Sequence, residues 1–110
     1  MANFKTGLNR SGLVEGKPVK VEKKGGILSK GRSILVVMVG GDVYAIDSVC
    51  SHRGGPLDQG KMEGYEVTCP WHGAVYDVRS GKASPSSTLG KMQSRFAVKV
   101  DAAGDIWVDA

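Results

Sequence analysis

The sequence predicts an all-β protein of hairpins, with two loops inserted between them. Three observations predict it. Apolar runs are short, and the first of them alternates with charged residues, the period of a half-buried strand. Sixteen glycines are spread over 110 residues, which argues for many turns and against a helical bundle. No window carries a sustained apolar stripe at helical spacing. A chain of this length buries on the order of two-thirds of its unfolded surface, enough for one core. We expect a single domain over residues 1–110, without repeats or linkers.

Val19 to Glu22 is the first expected strand. Ile34 to Val39, Gly40-Gly41 and Val43 to Ile46 read as a hairpin, because a two-residue glycine turn accepts positive φ. Glu66 to Thr68 leads into Cys69, and Ala74 to Val78 leads away from it. Asp77 to Lys82 reads as a second turn. Phe96 to Val100 and Ile106 to Val108 form a last hairpin across Ala102-Ala103-Gly104.

Two short pairs carry the chemistry: Cys50-Ser51-His52 and, after a sixteen-residue spacer, Cys69-Pro70-Trp71-His72. They use both cysteines and both histidines of the chain. Arg53, Gly54, Gly55 and Pro56 follow the first pair and Gly73 the second, so both loops can wrap backbone amides around a compact ion or cluster. The spacing favours a metal site over two unrelated thiols and two satisfied histidines. A zinc finger usually draws its cysteines from one turn and its histidines from a helix. Here each loop offers one thiolate and one imidazole. If the loops face each other, both sulfurs can meet one metal and both imidazoles a second, the division in a two-iron cluster with mixed ligands. A mononuclear zinc site is the competing reading.

Cys50-x-His52 and Cys69-x-x-His72 resemble the Rieske iron–sulfur motif. The resemblance runs on through Gly73, Tyr76-Asp77 and Gly81 and covers about residues 16–110. It implies antiparallel sheets carrying a cluster-binding subdomain, here about residues 47–77, and one [2Fe-2S] cluster held by Cys50, His52, Cys69 and His72. Respiratory Rieske proteins have two further cysteines in a disulfide between the loops. This chain has none, so it resembles the soluble Rieske-type ferredoxins of oxygenase systems. In the respiratory type, a serine and a tyrosine after the second histidine donate hydrogen bonds to the sulfurs; Ala74 and Tyr76 occupy those places here. Trp71 and Leu57 are expected to shield the cluster, although Trp71 equally fills a core. Tyr76 is either such a donor or a plain core aromatic. Pro85 stands where the family carries a third covering loop, or in an ordinary surface turn.

Charge counting sets the direction of the chemistry. With two ferric ions, two sulfides, two thiolates and neutral imidazoles, the oxidised centre is neutral, and one electron leaves a single negative charge. A four-cysteine centre would start two charges more negative, a harder reduction in a low-dielectric site. We expect a potential in the low to middle part of the Rieske range, roughly −150 to +300 mV, because one of the two hydroxyls is absent.

The formal charge of +4 is uneven: residues 1–32 hold eight basic and two acidic side chains. Lys17, Lys20, Lys23, Lys24, Lys30 and Arg32 lack the interleaved aromatics of a nucleic-acid surface. They read as a solvated face or as a docking patch for an acidic redox partner. The longest clear apolar run, Ile34 to Val39, falls far short of the roughly 20 residues needed to cross a bilayer, and Met1 to Lys5 shows no apolar signal segment. We expect a soluble, cytoplasmic, monomeric protein with neither nucleic acid nor membrane as partner. A Rieske oxygenase needs a second iron on two further histidines and a carboxylate, and this chain has no further histidine. It has no Gly-x-Gly-x-x-Gly nucleotide fingerprint either. The expected function is therefore a one-electron carrier between a reductase and a terminal oxygenase or other oxidoreductase, rather than an enzyme. The alternatives are a small Rieske subunit of a larger reductase, of the nitrite reductase type, and a zinc-stapled interaction module.

Overall fold

The computed structural model describes residues 3–23, 32–48, 57–70, 74–82 and 95–109. Among them are nine strands and two single 3-10 turns, Arg10–Gly12 and Leu57–Gln59. The strands are β1 (Asn3–Asn9), β2 (Val19–Lys23), β3 (Arg32–Val39), β4 (Asp42–Asp47), β5 (Lys61–Glu63), β6 (Glu66–Thr68), β7 (Val75–Asp77), β8 (Arg95–Val100) and β9 (Asp105–Asp109). The larger sheet has six strands in the order β1-β9-β8-β4-β3-β2, and the smaller has three in the order β5-β6-β7. Every neighbouring pair in both is antiparallel. The small sheet is inserted between β4 and β8, the arrangement expected from the sequence.

The β3–β4 hairpin forms where the glycine pair predicted it. Val39 and Asp42 are the last partners, and Gly40 and Gly41 both take positive φ, 63° and 85°. The Glu15 carboxylate accepts from the Gly40 N–H at 2.6 Å and from the Gly41 N–H at 3.4 Å. Arg10 donates to the Gly41 carbonyl at 2.6 Å. Two strands escape the sequence reading. In β1, the register against β9 shifts between Lys5 and Asn9, and Gly7 has φ 80°. A glycine and a bulge interrupt the alternation that would have marked that strand. β5 is only three residues long and carries one partly buried side chain, Met62.

Alternation along β3 divides the protein's apolar interior. Ile34 and Val36 point into one core with Val21, Ala45, Phe96, Ile106 and Val108. Leu35, Val37 and Val39 point into the other, where they meet Ile46, Leu57, Val67, Cys69, Ala74, Tyr76 and Val78. Residues 34–37 are completely buried. This explains why that segment reads as a continuous apolar run rather than an alternating one. The six-stranded sheet thus presents a rigid apolar face on which the small sheet is seated.

Candidate metal centre

Cys69 is the first residue after β6 and Ala74 the last before β7. The Cys69 N–H donates to the Ala74 carbonyl at 2.7 Å, extending the β6–β7 ladder one step beyond the Thr68–Val75 pair. Cys69 is thereby fixed at the mouth of a tight loop, with only 1% of its surface exposed. Ala74 is fully buried beside it, and Tyr76 lies across from Val67 on β6, also fully buried.

The other loop starts from the same core. Ser48 follows β4 and Leu57 opens the 3-10 turn Leu57–Gln59. The Leu57 N–H donates to the Ser48 carbonyl at 2.8 Å, and the buried Ser48 hydroxyl donates to Asp58 Oδ1 at 2.9 Å. Ser48 is held in turn by its own N–H to the Ser33 carbonyl at 3.0 Å. The chain between Ser48 and Leu57 is therefore closed at its base, and Leu57 is fully buried against the β3 face. Cys50, His52, Arg53, Gly54, Gly55, Trp71, His72, Gly73 and Pro85 lie outside the described residues. Of the site residues expected from the sequence, the structure brings Leu57, Cys69 and Tyr76 into one core.

The opposite end of the small sheet is anchored by charge and aromatic contacts. Arg79 donates from Nη2 to Asp77 Oδ2 at 2.8 Å and from Nε to Oδ1 at 3.1 Å. Its guanidinium lies 4.1 Å from the centre of the Tyr65 ring, a cation–π distance. Tyr65 meets Tyr44 of β4 edge to face, with ring centres 5.9 Å apart. Hydrogen bonding from the Arg79 side chain, then from its backbone N–H, holds the Asp77 carboxyl below its ordinary range. Burial, with the Asp42 carboxylate adding to it, pushes the Tyr44 phenol up. Sequence reading missed Ser48, Asp58 and Tyr65 because their partners are distant in the sequence, and Arg79 because a charged residue two places after an aspartate in a turn is ordinary.

The donor chemistry fits an iron–sulfur centre. Coordination to a metal removes a thiol's proton outright. Cys69 lies at the end of a strand, in the core that also holds Leu57 and Ala74.

Known proteins resemble this chain along most of its length. A family model described as the Rieske [2Fe-2S] domain matches residues 9–95. The ferredoxin component of the p-cumate 2,3-dioxygenase system of Pseudomonas putida is 33% identical over 98 residues, covering 88% of this chain and 77% of that protein. The ferredoxin component of the naphthalene 1,2-dioxygenase system of Pseudomonas putida is 36% identical over 76 residues, covering 69% and 72%. Among solved structures, the ferredoxin of carbazole 1,9a-dioxygenase from Nocardioides aromaticivorans IC177 superposes with a TM-score of 0.80 at 26% identity, covering 98% of this chain and 97% of that one.

Proposed function

The chain belongs to the Rieske [2Fe-2S] domain family, and on that premise we infer that it is a one-electron carrier, reduced by a reductase and oxidised by a terminal oxygenase. The observation that carries this reading is the buried Cys69 at the mouth of a loop that shares its apolar base with the loop holding Cys50 and His52. In this reading Cys50 and Cys69 supply the thiolates, and His52 and His72 the imidazoles. The bound cluster supplies reversible one-electron chemistry at a moderate potential, because two neutral ligands replace two anionic ones.

The chain's own residues do the rest. Leu57 and Ala74 close the apolar floor and keep water from the thiolate side, with Trp71 as the matching cover. In the same reading the hydroxyl of Tyr76, a buried residue of β7, would donate toward a sulfur, and Ala74 offers no hydroxyl, which keeps the potential in the low to middle range. Arg53, Gly54, Gly55 and Gly73 supply backbone amides around the centre, and Pro85 belongs to a third covering segment. The protein is a carrier and not a catalyst: both histidines of the chain are assigned to the centre, which leaves none for a substrate-binding iron. Two of its relatives are ferredoxin components of dioxygenase systems. Among the described residues no helix is long and apolar enough to cross a membrane. We assign one domain over residues 1–110, acting as a cytoplasmic monomer.

A spectrophotometric redox titration of the purified holoprotein tests the assignment. The expected result is reversible uptake of one electron per chain, followed by oxidation on adding an oxidised Rieske oxygenase. A colourless protein containing a single zinc ion overturns it.

A further inference from the structure

Beyond the ligands, the described residues contain a joint between the bases of the two ligand loops. The first loop is tied at Ser48, Leu57 and Asp58 by the two hydrogen bonds described above. The turn continues through the Gly60 N–H, which donates to the Leu57 carbonyl at 2.9 Å. Gly60 then enters β5, whose first residue, Lys61, pairs with Thr68 at the end of β6. By continuation of that register Gly60 stands opposite Cys69. The approach there is too close for a side chain. A Cβ on Gly60 would fall well inside contact distance of the Thr68 carbonyl oxygen and 3.0 Å from the Leu57 carbonyl oxygen. Both obstacles are backbone, so neither can rotate away. Gly60 has no positive φ. Steric room, rather than backbone conformation, is what requires glycine at this position.

We propose that Gly60 and the Ser48–Asp58 pair are positioning residues that set the separation of the two ligand loops. Gly60 lets the base of the first loop touch the strand that delivers Cys69. The Ser48 hydroxyl, 2% exposed and bonded to Asp58, holds the turn in that position. The geometry of the four ligands is therefore set from below, by backbone contact between Leu57–Gly60 and Thr68–Cys69, and not by the loops alone. This inference rests on the cluster reading of the preceding subsection.

The test compares holoproteins carrying Gly60→Ala, Ser48→Ala, Asp58→Ala and Asp58→Asn with wild type. The readouts are the EPR spectrum of the reduced state, the half-time of iron release to a chelator, and the thermal midpoint. Gly60→Ala should broaden or shift the EPR signal and speed iron release at least tenfold. Ser48→Ala and Asp58→Ala should each speed release about fivefold, the loss of one partly buried hydrogen bond. Asp58→Asn, whose amide oxygen still accepts from the hydroxyl, should restore most of what Asp58→Ala loses. If Gly60→Ala fails to fold, the serine and aspartate variants carry the test. Lower thermal midpoints with unchanged spectra and release rates would mean a structural role only and would overturn the proposal. A wild-type protein without a mixed-ligand two-iron signal would overturn the cluster reading itself, and this inference with it.

Discussion

Leu57 and Ile106 are fully buried side chains of equal size in different cores. Truncating each to alanine separates what the two cores do. Leu57→Ala and Ile106→Ala should each cost about 3 kcal/mol, the middle of the range for removing a large aliphatic side chain from a packed interior. The unfolding entropy of a 110-residue chain is about 0.23 kcal/mol/K, so either variant should lower Tm by about 13 °C. Their effects on the metal should differ. Leu57 closes the base of the first ligand loop and lies in the same core as Cys69, whereas Ile106 lies on the other face of β3. If iron escapes through local opening of the cluster-side core, the same 3 kcal/mol becomes about a hundredfold rise in release rate for Leu57→Ala. For Ile106→Ala the rate should stay within about a factor of three of wild type. The assay is iron transfer to a coloured chelator at 25 °C, with Tm measured on the same samples. Equal acceleration by both variants would refute the argument, since it would mean that metal leaves only through unfolding of the whole chain.

Three further outcomes are expected. Tyr76→Phe should lower the reduction potential and Ala74→Ser should raise it without loss of cluster, because donors to a sulfur favour the more negative reduced state; an unchanged potential in Tyr76→Phe would leave its hydroxyl a purely structural role. Asp77 has a folded-state pKa below its unfolded value through its bonds to Arg79. It therefore stabilises the fold above about pH 4, and that contribution is lost as pH falls through the folded-state value. Asp77→Asn should be less stable than wild type at pH 7, by at most about 1 kcal/mol for so exposed a partner as Arg79, and urea midpoints should converge on acidification. Replacing Lys17 and Lys20 together by Glu should slow reduction by an acidic reductase and flatten its salt dependence while leaving the potential unchanged. Lys20 is already partly offset by Glu22, 3.2 Å away, so Lys17→Glu alone should carry more than half of the effect. Wild-type kinetics at low salt in the double variant would assign these lysines to solvation alone.

The parts of this fold legible in the sequence are those fixed by local chemistry. Gly40-Gly41 announces its hairpin because two adjacent positive-φ positions admit little else. Ile34 to Val39 announces a central strand because both its faces are buried. Glu66 to Thr68 is legible as a short strand that runs straight into Cys69. What stayed hidden depends on distant partners. β1 is held by β9, at the other end of the chain, and its bulge near Gly7 interrupts the pattern. The Ser48–Asp58 bond and the Gly60–Thr68 approach leave no local trace, since a serine, an aspartate and a glycine near a turn are ordinary. The Cys-His pairs were readable for the opposite reason: soft ligands are few in this chain, and all of them fall in two short segments.

In the proposed centre, one loop-held thiolate and one loop-held imidazole from each pair bind two irons. EPR of the reduced protein, with electron–nuclear detection of nitrogen couplings and iron and sulfide analysis on the same sample, tests it most directly. Two irons and two sulfides per chain are expected, with coupling to two inequivalent histidine nitrogens, one coupling being lost in His52→Cys and the other in His72→Cys where the cluster survives. A two-iron signal without nitrogen coupling, or a colourless chain holding a single zinc, would contradict it.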